Sequence, residues 1–245
     1  MSEGEGRGSG ISGRAERRDK KWNETKTNDS WSIFKIMGEF VEGYEKLSAI
    51  GPCISIFGSA RTKPDHKYYK LAEEISEAIV ERGYGVITGG GPGIMEAANR
   101  GAAEAGGQSI GLTISLPYEA TKNEFISQDL NLKFHYFFMR KFWFLYSAKA
   151  FVVWPGGFGT LDELMELLTL IQTRKIKKRL PIVLYGKDYW KNVINWKYLV
   201  DIGTISKEDL KLFHISDEIN ENLISLIERS LTFFFLIFQV MKVEK

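Results

Sequence analysis

The chain has 245 residues, enough for one generous domain or two small ones, and its 44% hydrophobic and 26% charged content is that of a globular protein. Its 33 basic and 31 acidic side chains leave a net charge of +2, which excludes the strong electrostatic pull expected of a nucleic-acid or membrane-surface binder. The single cysteine, Cys53, excludes an intrachain disulfide and a polythiolate metal cluster, and makes the cytosol the natural compartment.

Residues 1–28 are rich in Gly, Ser and mixed charges and lack the apolar core of a signal peptide, so a loose N-terminal tail is expected there. From Ser30 onward, Trp31, Phe34, Phe40, Val41, Tyr44 and Leu47 recur near helical spacing, with Asp29 or Ser30 available as a cap. A single domain over 29–230 then alternates short apolar runs, glycine turns and longer amphipathic stretches. Strands are predicted at 53–58, 84–88, 109–114, 132–137, 151–155 and 181–186. Helices are predicted at 66–82, 93–105, 138–148, 159–173, 188–199 and, last, 217–230. Runs such as FVVW and IVLY lack polar alternation, as strands covered on both faces do, so the expected fold is α/β: a doubly wound, Rossmann-like parallel sheet with helices on both faces. The tail 231–245 opens with LTFFFLIFQVM, about half of the roughly 20 residues a membrane span needs; a strand or helix docked on the core or on a partner subunit is expected, with a weak membrane anchor as the less favoured alternative.

In such a sheet the turns after the strands hold the ligand. Three are glycine-rich: Gly58-Ser59-Ala60-Arg61, Gly89-Gly90-Gly91-Pro92-Gly93 and Gly156-Gly157-Phe158-Gly159-Thr160. Each can be a tight βα turn and nothing more, but each can also bring backbone N–H groups and a helix dipole to a phosphate, and three together favour phosphate. The dinucleotide fingerprint fails, since Glu96 stands where the third small residue of G-x-G-x-x-G belongs and Asp162 does the same after Gly157. A Walker loop, an H-E-x-x-H pair and a G-x-S-x-G elbow are all missing from the sequence, and His66, His135 and His214 are scattered.

Two features carry candidate chemistry. Thr160-x-x-Glu163 has the spacing of a capping box, yet a carboxylate at a phosphate turn is also placed to stabilise an oxocarbenium-like sugar or to orient water beside C1′ of a ribose. Arg140 and Lys141 stand together in the aromatic run 134–146, where they either snorkel to the surface or reach into an anionic cleft. The basic run 174–179 reads as a solvated helix end.

GGGPGIMEAANRGA at 89–102, MRK at 139–141 and PGGFGTLDE at 155–163 together resemble the LOG (Lonely Guy) family of phosphoribohydrolases, in the longer bacterial-type branch, from about Ser30 to about residue 228. The resemblance implies hydrolysis of the N-glycosidic bond of AMP or an N6-substituted adenosine 5′-monophosphate, a cytokinin nucleotide, to free base and ribose 5-phosphate, without metal or redox cofactor. It implies a catalytic pair, Arg140 and Glu163, with Lys141 and the Gly156–Thr160 turn holding the nucleotide and Glu119 and Thr169 as further contacts. Gly58, Ser59, Gly89, Gly90, Gly91 and Glu96 join them as substrate-binding candidates from the other turns. It also implies a homodimer or larger homo-oligomer, which the 13% aromatic content suits. Proteins with this motif have often been labelled lysine decarboxylases, but no pyridoxal-binding lysine signature is present. A related Rossmann architecture occurs in molybdenum-cofactor carriers, so a binding protein that does not cleave its ligand is the alternative.

Overall fold

The computed structural model describes residues 12–114, 123–176 and 180–218. The chain divides into two units, 1–45 and 46–245, where a single domain from 29 is expected. The first is formed by most of helix α1 (Ser12–Ser48), which starts well before Ser30. Its opening residues, SGRAERRDKKWNETK, are rich in good helix formers but carry no apolar period, so a pattern search stops short of them.

The second unit is built on seven strands, β1 (Cys53–Phe57), β2 (Gly85–Thr88), β3 (Ser109–Ile114), β4 (Asn131–Phe134), β5 (Ala148–Val153), β6 (Ile182–Tyr185) and β7 (His214–Ser216). All pair in parallel, in the order β4-β3-β2-β1-β5-β6-β7. The helices are α2 (Lys67–Glu81), α3 (Ile94–Glu104), α4 (Phe137–Ser147), α5 (Phe158–Gln172), α6 (Lys187–Val193) and α7 (Trp196–Asp201). The doubly wound Rossmann-like sheet expected from the sequence is therefore present. Ile54 and Ile56 of β1, Val86 of β2, Val152 of β5 and Val183 of β6 face α2 and α3 across one buried core. On the opposite face Phe57 meets Phe144 of α4 edge-on, with ring centroids 4.9 Å apart, and stacks on Phe151 at 5.9 Å.

Three of the differences from the sequence pattern have a clear local reason. The predicted helix at 188–199 is two helices, because Asn195 leaves the helical conformation and its side chain accepts from the Tyr198 N–H as an N-cap. Strand β5 begins three residues early, at Ala148, whose small side chain hides the start of an apolar run although it is fully buried. Strand β7 is three residues long, too short to show a period. The helix predicted at 217–230 and the apolar tail lie almost wholly outside the described residues. Among the described residues no helix is long and apolar enough to cross a membrane.

Candidate active site

The strand order reverses between β1 and β5: successive strands lie to one side of β1 as far as β4, and then the chain crosses to the other side for β5. Their following turns must diverge there, and the crevice between them is where an open α/β sheet takes its ligand. Both turns are tied at its floor. Trp154 N–H donates to the Phe57 carbonyl at 2.8 Å, and Ser59 N–H donates to the Pro155 carbonyl at 3.1 Å. A cleft of about 650 Å³ opens above them.

Ten of the residues expected to act line this cleft. Gly58 and Ser59 come from the β1 turn, Gly89 and Gly91 from the β2 turn, Gly157, Phe158, Gly159 and Thr160 from the start of α5, with Arg140 and Glu163 between them. Glycine is required at two points around it. Gly93 has φ +69°, and a Cβ there would lie 2.4 Å from the Ser59 carbonyl oxygen, so the β2 turn can close on the β1 turn only without a side chain. A Cβ on Gly156 would lie 2.1 Å from the Thr160 hydroxyl. Gly156 itself sits behind the lining, where its carbonyl accepts from the Tyr189 hydroxyl of α6.

The register of α5 decides what T-x-x-E means. The N-cap is Gly157 and no side chain caps the helix, so Thr160 is already its third residue and Glu163 lies almost two turns inside. The capping-box reading therefore fails, and the first backbone N–H groups of α5 keep no side-chain acceptor, as an anion site needs.

Glu163 is 8% exposed. Burial pushes its carboxyl up to about 7 from an ordinary 4.5, with Arg140 and Lys141 pulling in the opposite direction. Its Oε1 lies 3.7 Å from Nη2 of Arg140. The Arg140 guanidinium in turn lies over the rings of Phe137 at 5.1 Å and Phe144 at 5.8 Å, which hold its plane.

Lys141 is turned elsewhere. Its ammonium bridges Asp162 Oδ2 and Glu166 Oε2, each at 2.8 Å, outside the cleft lining. Burial opposes that charge, but the two carboxylates outweigh it and raise the lysine's pKa. Three further expected contacts also stand off the lining. Thr169 donates to the Met165 carbonyl on its own helix at 2.7 Å, and Glu96 accepts from the Tyr69 hydroxyl of α2 at 2.7 Å. Gly90 donates its N–H to Thr88 Oγ1 at 3.0 Å. Glu119 lies outside the described residues.

Several lining residues carry no sequence signal of chemistry. Met95, Ile114, Phe137 and Leu161 make an apolar wall, and Arg61 adds a second cation. Asn99 shapes the site from behind: its amide donates to Ser109 Oγ at 2.9 Å and to the Ile110 carbonyl at 3.3 Å, while Oδ1 accepts from Thr88 and from Asn123. Thr88 is the residue that holds Gly90, so this buried network fixes the β2 turn. Its clue was a polar side chain amid the alanines of α3. Cys53 takes no part, since burial pushes its thiol up to about 12. His66 caps α2, accepting from the Tyr68 N–H. Among the described residues no cluster of His, Cys, Asp and Glu could hold a metal ion.

A parallel doubly wound sheet with an uncapped helix start and an arginine–glutamate pair at its switch-point cleft defines a Rossmann-like protein. The chain belongs to the LOG family: the family model described as "Possible lysine decarboxylase" matches residues 95–226, more than half of the chain. The chain is 29% identical over 127 residues to a probable cytokinin riboside 5′-monophosphate phosphoribohydrolase, LOGL5, of Oryza sativa, covering 49% of each chain, so it spans about half the length of that relative. It is 27% identical over 169 residues to the cytokinin riboside 5′-monophosphate phosphoribohydrolase of Mycobacterium marinum, covering 67% of this chain and 87% of that one. In fold it is similar to the molybdenum cofactor binding protein of Rippkaea orientalis, with a TM-score of 0.53 at 23% identity over 75% of this chain and 99% of that one.

Proposed function

We propose that this protein hydrolyses the N-glycosidic bond of AMP or an N6-substituted adenosine 5′-monophosphate, releasing the free base and ribose 5-phosphate. The observation that carries the reading is the buried Glu163 carboxylate beside Arg140 in a cleft that also holds the uncapped start of α5. The 5′-phosphate rests on the backbone N–H groups of that helix start. Phe137, Met95 and Ile114 offer an apolar wall for the purine.

As the C1′–N bond breaks, its electron pair leaves with the base, and positive charge develops on the ribosyl ring. Ionised Glu163 stabilises that charge and accepts a proton from the water whose oxygen bonds to C1′. Arg140 orients the nucleotide and eases departure of the base, which takes up a proton as it leaves.

Purified protein incubated with AMP and with N6-isopentenyl-AMP, with Glu163→Gln as control, tests the reading. Base and ribose 5-phosphate released by the wild type and not by the variant support it. Tight nucleotide binding without release favours instead a carrier, the class to which the Rippkaea orientalis protein's name points. We assign the protein to the cytoplasm and to a homodimer or larger assembly, supported by exposed aromatics on α4 such as Phe138 and Tyr146, each 53% exposed. A monomer mass by light scattering at micromolar concentration would reject the assembly.

A further inference from the structure

Among the described residues, the cleft's charges leave one cation without a carboxylate partner. Three ionisable side chains line it among the described residues: Arg140, Glu163 and Arg61. Arg140 is paired with Glu163, and Lys141, next along the chain, is taken by Asp162 and Glu166. Arg61 is exposed, on the turn after β1, and its guanidinium meets no carboxylate among the described residues. Its backbone is nonetheless fixed, since its N–H donates to Ser59 Oγ at 3.1 Å and Ser59 is tied to Pro155 before the start of α5.

A phosphomonoester carries about −1.5 to −2 charges near neutral pH. The neutral N–H groups of α5 supply dipole but no full charge, and the charge of Arg140 is shared with Glu163 whenever that carboxyl is ionised. We propose that Arg61 is the cation that recognises the 5′-phosphate, so that the β1 turn and the start of α5 close on it from opposite sides of the switch point. A guanidinium suits the task because its fork takes two phosphate oxygens at once. This inference rests on the phosphoribohydrolase reading and adds the residue that makes the cleft selective for nucleotides.

The test compares wild type, Arg61→Gln and Arg61→Lys, all checked for unchanged melting temperature, by steady-state kinetics on AMP and by calorimetric titration with AMP, ribose 5-phosphate and adenine. Adenine lacks the phosphate and is the internal reference. Loss of a charge-assisted contact is expected to raise KM for AMP and the dissociation constant for ribose 5-phosphate by about 10- to 100-fold relative to adenine. Arg61→Lys should recover part of this, since it keeps the charge and loses the fork. Values for Arg61→Gln within about twofold of wild type overturn the role of Arg61 while leaving base release intact. If the wild type binds AMP but releases no base, the phosphoribohydrolase reading fails separately, and a weaker AMP titration with Arg61→Gln still supports the phosphate contact. Failure of the wild type to bind AMP or ribose 5-phosphate overturns both.

Discussion

Arg140 Nη2 stands 3.7 Å from Glu163 Oε1, joining α4 to α5 across the cleft, while the neighbouring Lys141 points to Asp162 and Glu166 on the outer side of α5. At 100° per residue, adjacent side chains on a helix cannot share a target. One arginine is thereby left inside with the carboxylate and one lysine outside with two others.

Glu163→Gln should lower base release from AMP by at least about 100-fold, since the amide keeps the shape and loses the charge that meets the ribosyl cation. Single-turnover chromatography of the products measures this. Retention of activity within a few-fold would remove Glu163 from the chemistry.

The same carboxyl gives a pH signature. With its pKa raised to about 7 in the folded protein from an ordinary 4.5, the native state holds a proton that the unfolded state has lost between those values. Stability from this group is fully present below about pH 4.5, declines as pH rises, and is lost above about 7, a difference on the order of 3 kcal/mol. Glu163→Gln should therefore melt above the wild type at about pH 8, with the gap narrowing toward about pH 5. Activity should run the other way: kcat/KM for AMP rises with pH and levels off above an inflection near 7, because the reacting form is the carboxylate. A falling limb there would make Glu163 an acid instead.

Arg140→Lys should cost about 10- to 100-fold in kcat/KM, since a point charge replaces a planar fork held over Phe137 and Phe144. In the same variant series, Arg140→Ala should push the activity inflection of Glu163 still higher by removing the cation that opposes burial. An inflection that stays in place would show that the two side chains do not interact in solution.

Lys141→Met should act mainly on stability. Its ion pairs with Asp162 and Glu166 are partly exposed, worth about 0.2–1 kcal/mol each, so denaturant melts should show a loss of up to about 2 kcal/mol. The effect on KM for AMP should be smaller than that of Arg61→Gln. A larger one would restore Lys141 to direct nucleotide binding.

Asn99→Ala should be more damaging than any surface change. It strips partners from Thr88, Ser109 and Asn123 at a fully buried position, an expected loss of about 2–4 kcal/mol by chemical denaturation. A loss below about 1 kcal/mol would mean that the network is replaceable.

Much of the architecture was legible in the residues themselves. Unbroken apolar runs such as Phe151–Trp154 and Ile182–Tyr185 can be strands only if helices cover both faces, and the glycine turns after them mark the ends where a ligand sits. Arg140 and Glu163 stood out in the sequence as charges in an apolar helix and after a glycine turn, and the structure brings them together in one cleft. Which strands are neighbours was decided only by tertiary structure, because hydrogen bonding between β1 and β5 joins residues about a hundred positions apart and creates the switch-point cleft. The same applies to the register of α5: capping is settled by where the chain enters the helix, so Thr160-x-x-Glu163 reads as a cap in one dimension and becomes an interior carboxylate in three. The places of Arg61 and Asn99 were decided only by the tertiary structure, since a cation at the cleft and a buried amide are defined by what surrounds them, and no local spacing encodes that.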